Sequence, residues 1–455
     1  GTLDIDADTT ITGLIGATKL LAITVADSTA LTVTGNTSAT TITLGSTSTG
    51  GGTLSTAGAI TLVAATNGSG VGYGTLDINH NVTHTGIIGG TKLGTIDIAA
   101  STTLAASAAV STTTLNFSGD GALTMVADAV LTAAVTATTG DQGTITFAPT
   151  ANDATIVVGD LGTSAKSLKV VTLGGDGSAD TATVNGSIYA VTVNITGDHA
   201  DAEVDMSANK DITATNLIFT DEHTINLATG SDITAAITTT GGANEGEINV
   251  AGISKITGEI CLTGTVCKLI DLTGTASDLT VSGGVHATTT TIAAGAELHY
   301  TGTGTVVHTG ILTAEGSASV IDVGVALVDV SGATALPAAS ILKVTIGTTN
   351  GQLDASGSGI TSATNAIVTP VIVGKVTSGT AITIIKDNDT SAKPATAALV
   401  DNYERYSFVL AVDGNNITLT PTIVTPTGVG TAGLAVNAVA EVAFAADTTL
   451  LGALN

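Results

Sequence analysis

The chain has 455 residues, with 38 acidic against 12 basic ones and a formal charge of −26. A field of that sign repels nucleic acid and anionic lipid and makes both poor partners. Only 11 % of residues are charged while 43 % are hydrophobic, which excludes a disordered chain. Five Tyr, five Phe and no Trp leave Ala, Val, Ile, Leu and Thr to supply the volume. Small and β-branched residues suit thin, regular layers of strand.

Residues 1–20 read GTLDIDADTTITGLIGATKL, and residues 74–93 read GTLDINHNVTHTGIIGGTKL, with 13 of twenty positions identical. Leu3 and Ile5 fall on one side of a strand, as do Leu76 and Ile78. The positions that drift, Asp6, Asp8, His80 and Asn81, are polar and are expected to face solvent. Keeping inward positions and freeing outward ones is what stacked repeats require. Further along, GTIDIAA (94–100) is a third copy of the opening phrase. SLKVVTLGGDG (167–177), SKITGEICL (254–262) and CKLIDLTG (267–274) are weaker echoes. Short β-branched runs punctuated by Gly, Asn, Asp and Thr continue almost to the end, with no convincing helical periodicity before about residue 430.

The expected fold is all-β: an elongated parallel β-solenoid, or β-helix, over residues 1–365. A C-terminal capping and assembly region over 366–455 completes the expected organisation. Coils of roughly 18–25 residues would make the 73-residue offset three or four coils, and strands stacked about 4.8 Å apart would give a rod on the order of 90 Å. Tandem antiparallel β-sandwich domains are the alternative, disfavoured by the scarcity of aromatics. The region from 366 holds Pro370, Pro394, Pro421 and Pro426 and the sole arginine, Arg405. Within it, Tyr406, Phe408, Leu410 and Val412 alternate, Asp413 to Asn416 supply a turn, and Ile417 and Leu419 return as a hairpin suited to covering an open coil end. Residues 432–455 read as a short helix or a tail. A chain that opens on Gly1 without a signal sequence reads as mature, processed or incompletely defined, and no apolar run of about 18 residues offers a membrane span.

Cys261 and Cys267 flank five residues able to turn tightly, so a disulfide is the expected pairing, with two buried thiols or a two-Cys metal site as alternatives. Acidic clusters are the candidate metal ligands. They are Asp4, Asp6 and Asp8 on one strand face, Asp176 and Asp180, and Asp198, Asp201 and Asp205 with Glu203; Asp387 and Asp389 form a further pair. Carboxylates and turn carbonyls are calcium chemistry, and calcium is the one candidate cofactor. The competing reading is a solvated acidic face. His80 and His84 lie too far apart on a strand for one zinc. They, with His199, His223, His286, His299 and His308, are expected at the surface. GVGTAG (428–433) lacks the βαβ context of a dinucleotide fingerprint and reads as a Gly-rich turn. No catalytic residue is identified, because a polysaccharide-cleaving groove needs paired carboxylates, basic residues and aromatic platforms.

The segments TKLLAITV, TKLGTIDI, SLKVVTLGGDGSADTATVNGSI and YSFVLAVDGNNITLTPT resemble passenger domains of bacterial autotransporters. In style they are most similar to the rickettsial outer-membrane protein B and surface cell antigen group. The resemblance is compositional and spans most of the chain, which lacks the export barrel. It implies a β-solenoid passenger displayed on the bacterial cell surface, extracellular, in a surface layer or as an adhesin. The expected function is a structural protein forming a layer, fibre or adhesive stalk by self-assembly, as homo-oligomer or polymer. A carbohydrate-active or host-receptor-binding adhesin, with a host-cell or surface glycan as partner, is the alternative.

Overall fold

The computed structural model describes residues 1–126, 130–148, 154–174, 181–196, 203–240, 245–361, 366–374, 376–387, 398–399 and 406–424. No helix occurs among them; the chain is a parallel β-solenoid rather than a series of antiparallel sandwiches. It divides into two compact units, Gly1–Ile248 and Asn249–Asn455. Among the described residues no helix is long and apolar enough to cross a membrane.

In the first unit each strand lies parallel to the one a coil later. Thr2 pairs with Ala22, Ala22 with Thr41 and Thr41 with Ala65, and Leu31, Leu54, Leu76, Ile96, Leu115 and Val135 form a second in-register column. That column is sealed, each side chain being at most 2 % exposed. Strict alternation along Thr53–Thr56, Thr75–Ile78 and Thr103–Ala106 puts every second residue inside. The stacks of Leu, Ile and Val so formed exclude water along the whole column.

The repeated phrases do not lie on top of one another. Thr2–Ile5 belongs to the column continued by Ala22 and Thr41, whereas Thr75–Ile78 belongs to the neighbouring column with Thr53–Thr56. An offset of 73 residues is therefore three coils plus one further strand. The second and third copies do stack, Leu76 on Ile96 and Asp77 on Asp97. Two like charges directly opposite would repel. Each instead turns to neutral donors: Asp77 accepts from Ser55 Oγ (2.8 Å) and Asn79 Nδ2 (2.7 Å), and Asp97 from Asn116 Nδ2 (2.8 Å) and Ser118 Oγ (2.6 Å).

Corners are built from Asx side chains and glycine. The side-chain oxygens of Asp8, Asn36, Asn81 and Asp160 accept the backbone N–H of Ala30, Thr61, Thr103 and Ser187, one coil on, at 2.8–2.9 Å. These bonds satisfy amides that the bend removes from the ladder.

In the second unit the column runs Ile253, Asp278, Glu297, Val320, Ile341, Ile367. Parallel stacking continues past residue 365: Ile341–Gly347 carries Ile367–Val373, and Gln352–Ala355 carries Ile382–Asp387. The hairpin Tyr406–Asp413 and Asn416–Ile423 then turns on Gly414 and Asn415 and docks antiparallel on Ile382–Asp387. Residues 432–455, Arg405 and the Gly-rich segment 428–433 lie outside the described residues.

Candidate functional site

Strands Asp278–Val281 and Glu297–Tyr300 share one pattern, with the first and third residues outward and the second and fourth buried. Register places Asp278 beside Glu297 and lines up Thr280, His299, Asp322 and Lys343 across four coils. Strands spaced about 4.8 Å apart bring such neighbours within ion-pair reach. His299 is the hub. Its Nε2 lies 3.0 Å from Glu297 Oε2 and 3.3 Å from Asp278 Oδ1, and its Nδ1 lies 3.0 Å from Asp322 Oδ2. Lys343 Nζ reaches Glu297 Oε2 at 2.9 Å, and the Gly324 N–H donates to Asp322 Oδ1 at 2.9 Å.

The hydrogen bond with Asp322 raises the His299 pKa, against the opposing effect of burial, and the charges of Asp278, Asp322 and Glu297 add to the rise. Burial pushes the Asp322 carboxyl up, but the bonds from His299 and the Gly324 N–H outweigh it and hold the group below its ordinary value. Among the described residues, Asp278, Glu297 and His299 are the His, Cys, Asp and Glu side chains whose ligand atoms all converge within 4.8 Å.

The acidic residues expected to bind calcium are arranged otherwise. Thr2–Ile5 ends before Asp6, and the next strand begins at Thr9, so Asp4, Asp6 and Asp8 do not share one strand face. All three are exposed, and Asp8 is spent on a corner. Asp205 and Glu203 are bridged by Asn226 Nδ2 at 2.6 and 3.1 Å, a neutral donor standing where an ion would. Asp387 is buried. Asp176, Asp180, Asp198, Asp201 and Asp389 lie outside the described residues.

The histidines correct a second expectation. His80 is exposed, but His84, His223, His286 and His308 are buried, and His199 lies outside the described residues. A coil interior short of aromatics accepts a neutral imidazole when a hydroxyl meets it. His84 Nε2 is 2.9 Å from Thr66 Oγ1, His308 Nδ1 is 2.7 Å from Tyr300 OH, and His286 Nδ1 is 2.8 Å from Thr309 Oγ1. Burial lowers all three, His84 to about 4 and His308 to about 3. His286 also faces a surface cavity of about 450 Å³, whose walls include Glu259, Thr263, Ser282, Thr303 and Val306.

Cys261 and Cys267 form a disulfide with a Cα–Cα distance of 5.8 Å, closing a turn in which Leu262 and Thr265 bridge antiparallel. The first unit builds the same corner without sulfur. There Thr163 and Lys166 make the antiparallel bridge, Gly162 (φ +79°) stands where Cys261 (φ +59°) stands, and buried Leu168 replaces Cys267. Replacing both cysteines by alanine is expected to cost about 2 kcal/mol, the closure entropy of so short a loop. Cys261→Gly with Cys267→Leu should cost less, because it rewrites the corner in the form the first unit uses. Urea unfolding of the two double variants compares them directly; equal losses would show that the two corners are not equivalent.

Compared with known proteins, the sequence matches no family model and no curated protein.

Proposed function

We propose that this chain is a structural β-solenoid, exported and displayed at a bacterial surface, that assembles with copies of itself into a layer, fibre or stalk. The observation that carries the reading is the end of the described second unit. Val373 on the last long parallel strand is 56 % exposed and Val409 on the hairpin is 58 % exposed, with Val371, Val412 and Ile423 also uncovered. Apolar residues left in water beside an edge strand make a surface that another copy can pair with and bury. Exposed apolar side chains also occur on earlier coils, Leu14, Leu21, Val71 and Ile253 among them, set between outward Thr, Ser, Asn and Asp, some of which bond one another between coils. The resemblance to autotransporter passengers supports the surface location.

The alternative, a glycan-binding or carbohydrate-active adhesin, would use the cavity at Glu259 and His286. Its walls carry one carboxylate and no aromatic residue, which weighs against glycosidic cleavage there, since that chemistry takes two carboxylates.

Sedimentation velocity and negative-stain electron microscopy over a concentration series test the proposal. Assembled species should appear as concentration rises, and Val409→Lys with Val412→Lys should return the protein to monomer while leaving its β-sheet circular dichroism intact. A monomer at every concentration, or assembly indifferent to those two charges, would overturn it.

A further inference from the structure

We propose that the second unit binds one divalent transition-metal ion of the zinc class through His299 Nε2, Asp278 and Glu297, with Asp322 as the residue that positions the imidazole. Three features of the ladder point the same way.

The ligand atoms already converge within 4.8 Å on three side chains that come from two adjacent strands of one rigid column. Little rearrangement is needed to close them on an ion, so little ordering entropy opposes binding. The His299 ring is also oriented as a metal ligand needs. Asp322 takes Nδ1 at 3.0 Å and is itself pinned by the Gly324 N–H. That leaves Nε2 on the side of the two carboxylates, 3.0 Å from Glu297 and 3.3 Å from Asp278. A carboxylate on the far nitrogen of a ligating histidine fixes its tautomer and raises its basicity, and loss of such a partner commonly weakens binding 10–100-fold.

The third feature is Asp278 Oδ1: the side chain is half-buried, and this oxygen, on its inner side, is shut off from solvent and has no hydrogen-bond partner. Its neighbour His299 Nε2, at 3.3 Å, makes a charge contact without hydrogen-bond geometry. A cation shared with Glu297 and His299 would give that oxygen the partner it lacks.

The donor set selects the ion. Calcium takes six to eight oxygens and has no preference for imidazole, whereas tetrahedral zinc accepts imidazole nitrogen and carboxylate oxygen together, with a water in the fourth position. The chain's charge of −26 draws cations toward the surface. Lys343 is the internal competitor, because its ammonium occupies Glu297 Oε2 at 2.9 Å.

Isothermal titration of the chelator-stripped full chain with zinc chloride, and separately with calcium chloride, tests the assignment. One zinc per chain is expected to be lost in His299→Gln and in Asp278→Asn with Glu297→Gln, and to weaken at least tenfold in Asp322→Asn. Lys343→Met should bind zinc at least as tightly as the parent, a result that a folding defect does not imitate. Zinc binding unchanged in His299→Gln, calcium binding lost with the same residues in place of zinc, or weaker binding in Lys343→Met would each overturn the proposal. These outcomes are read on the monomer and are independent of whether copies assemble.

Discussion

Replacing Gly89 by alanine is expected to destabilise the first unit by about 3–5 kcal/mol, the upper range for a single substitution. Gly89 lies in the long strand Ile88–Ile98, where pairing with the following coil shifts register between Ile88 and Leu93. Its φ is +77°, and a Cβ built on it would sit 1.8 Å from the backbone oxygen of Ser111. Two costs add. A side chain in the left-handed region costs about 1–2 kcal/mol, and the obstructing atom is backbone in the next coil, which cannot swing away. Gly414 supplies the control. It also has positive φ, +58°, but nothing lies within 4 Å of a Cβ there, and it sits in a two-residue hairpin turn that accepts Asn. Gly414→Asn should change stability by no more than about 0.5 kcal/mol. Native-state hydrogen exchange of the Ile88–Ile98 amides, with urea unfolding followed by far-UV circular dichroism, measures both. Equal effects at the two positions would remove the steric argument.

The second large effect is acid lability. His84 and His308 are held neutral in the folded chain by burial, with pKa values of about 4 and about 3. In the unfolded chain both titrate near 6.5. Between those values the unfolded state binds a proton that the folded state refuses, so stability rises with pH across the window and is fully present above it. Each such histidine removes about 1.4 kcal/mol per pH unit on descending below 6.5, or about 2 kcal/mol at pH 5. His299 has the opposite sign. Its raised pKa gives stability that is present below 6.5 and lost as pH climbs through the folded value. Asp322, held low, contributes above its ordinary value and loses that contribution as pH falls through the folded one. In His84→Gln the uncharged amide can still meet Thr66, and the pH slope of first-unit unfolding should shrink by one proton between pH 6.5 and 4.5. An unaltered slope would mean that His84 is not the group refusing the proton.

The coils were legible because the signal is periodic and local. Leu76 and Ile78, alternating with polar residues and repeated in Ile96 and Ile98, announce a strand with one buried face, and Gly and Asn mark its corners. The repeated glycines were legible as repeats but not as causes. Gly16 and Gly89 hold equivalent places in the two copies and have φ of +73° and +77°, which a sequence cannot display. The phase of the copies was also hidden. Coil length varies, so 73 residues read as a whole number of turns when it is three turns and a strand.

The ionic ladder was missed for a related reason. Asp278 and His299 stand 21 positions apart and meet only through register. DLTV at 278–281 and ELHY at 297–300 do carry a matching alternation one coil apart, the one trace that could have placed them together. The interior histidines were misjudged because burial of His84 depends on a threonine 18 residues earlier. By contrast, Asp4, Asp6 and Asp8 looked like a ligand set only while the chain was imagined straight through Asp6.

The offset between the two long copies, each within the first unit, bears on how such a gene can change. A crossover between the matching stretches would excise 73 codons and join the opening segment directly to the residues after the second copy. The downstream chain would then enter one face earlier than before. Because TLDI satisfies the alternation of either column, the joined coil can still close. One recombination event would thus shorten the protein by three coils and a strand in a single step, without altering any codon that remains.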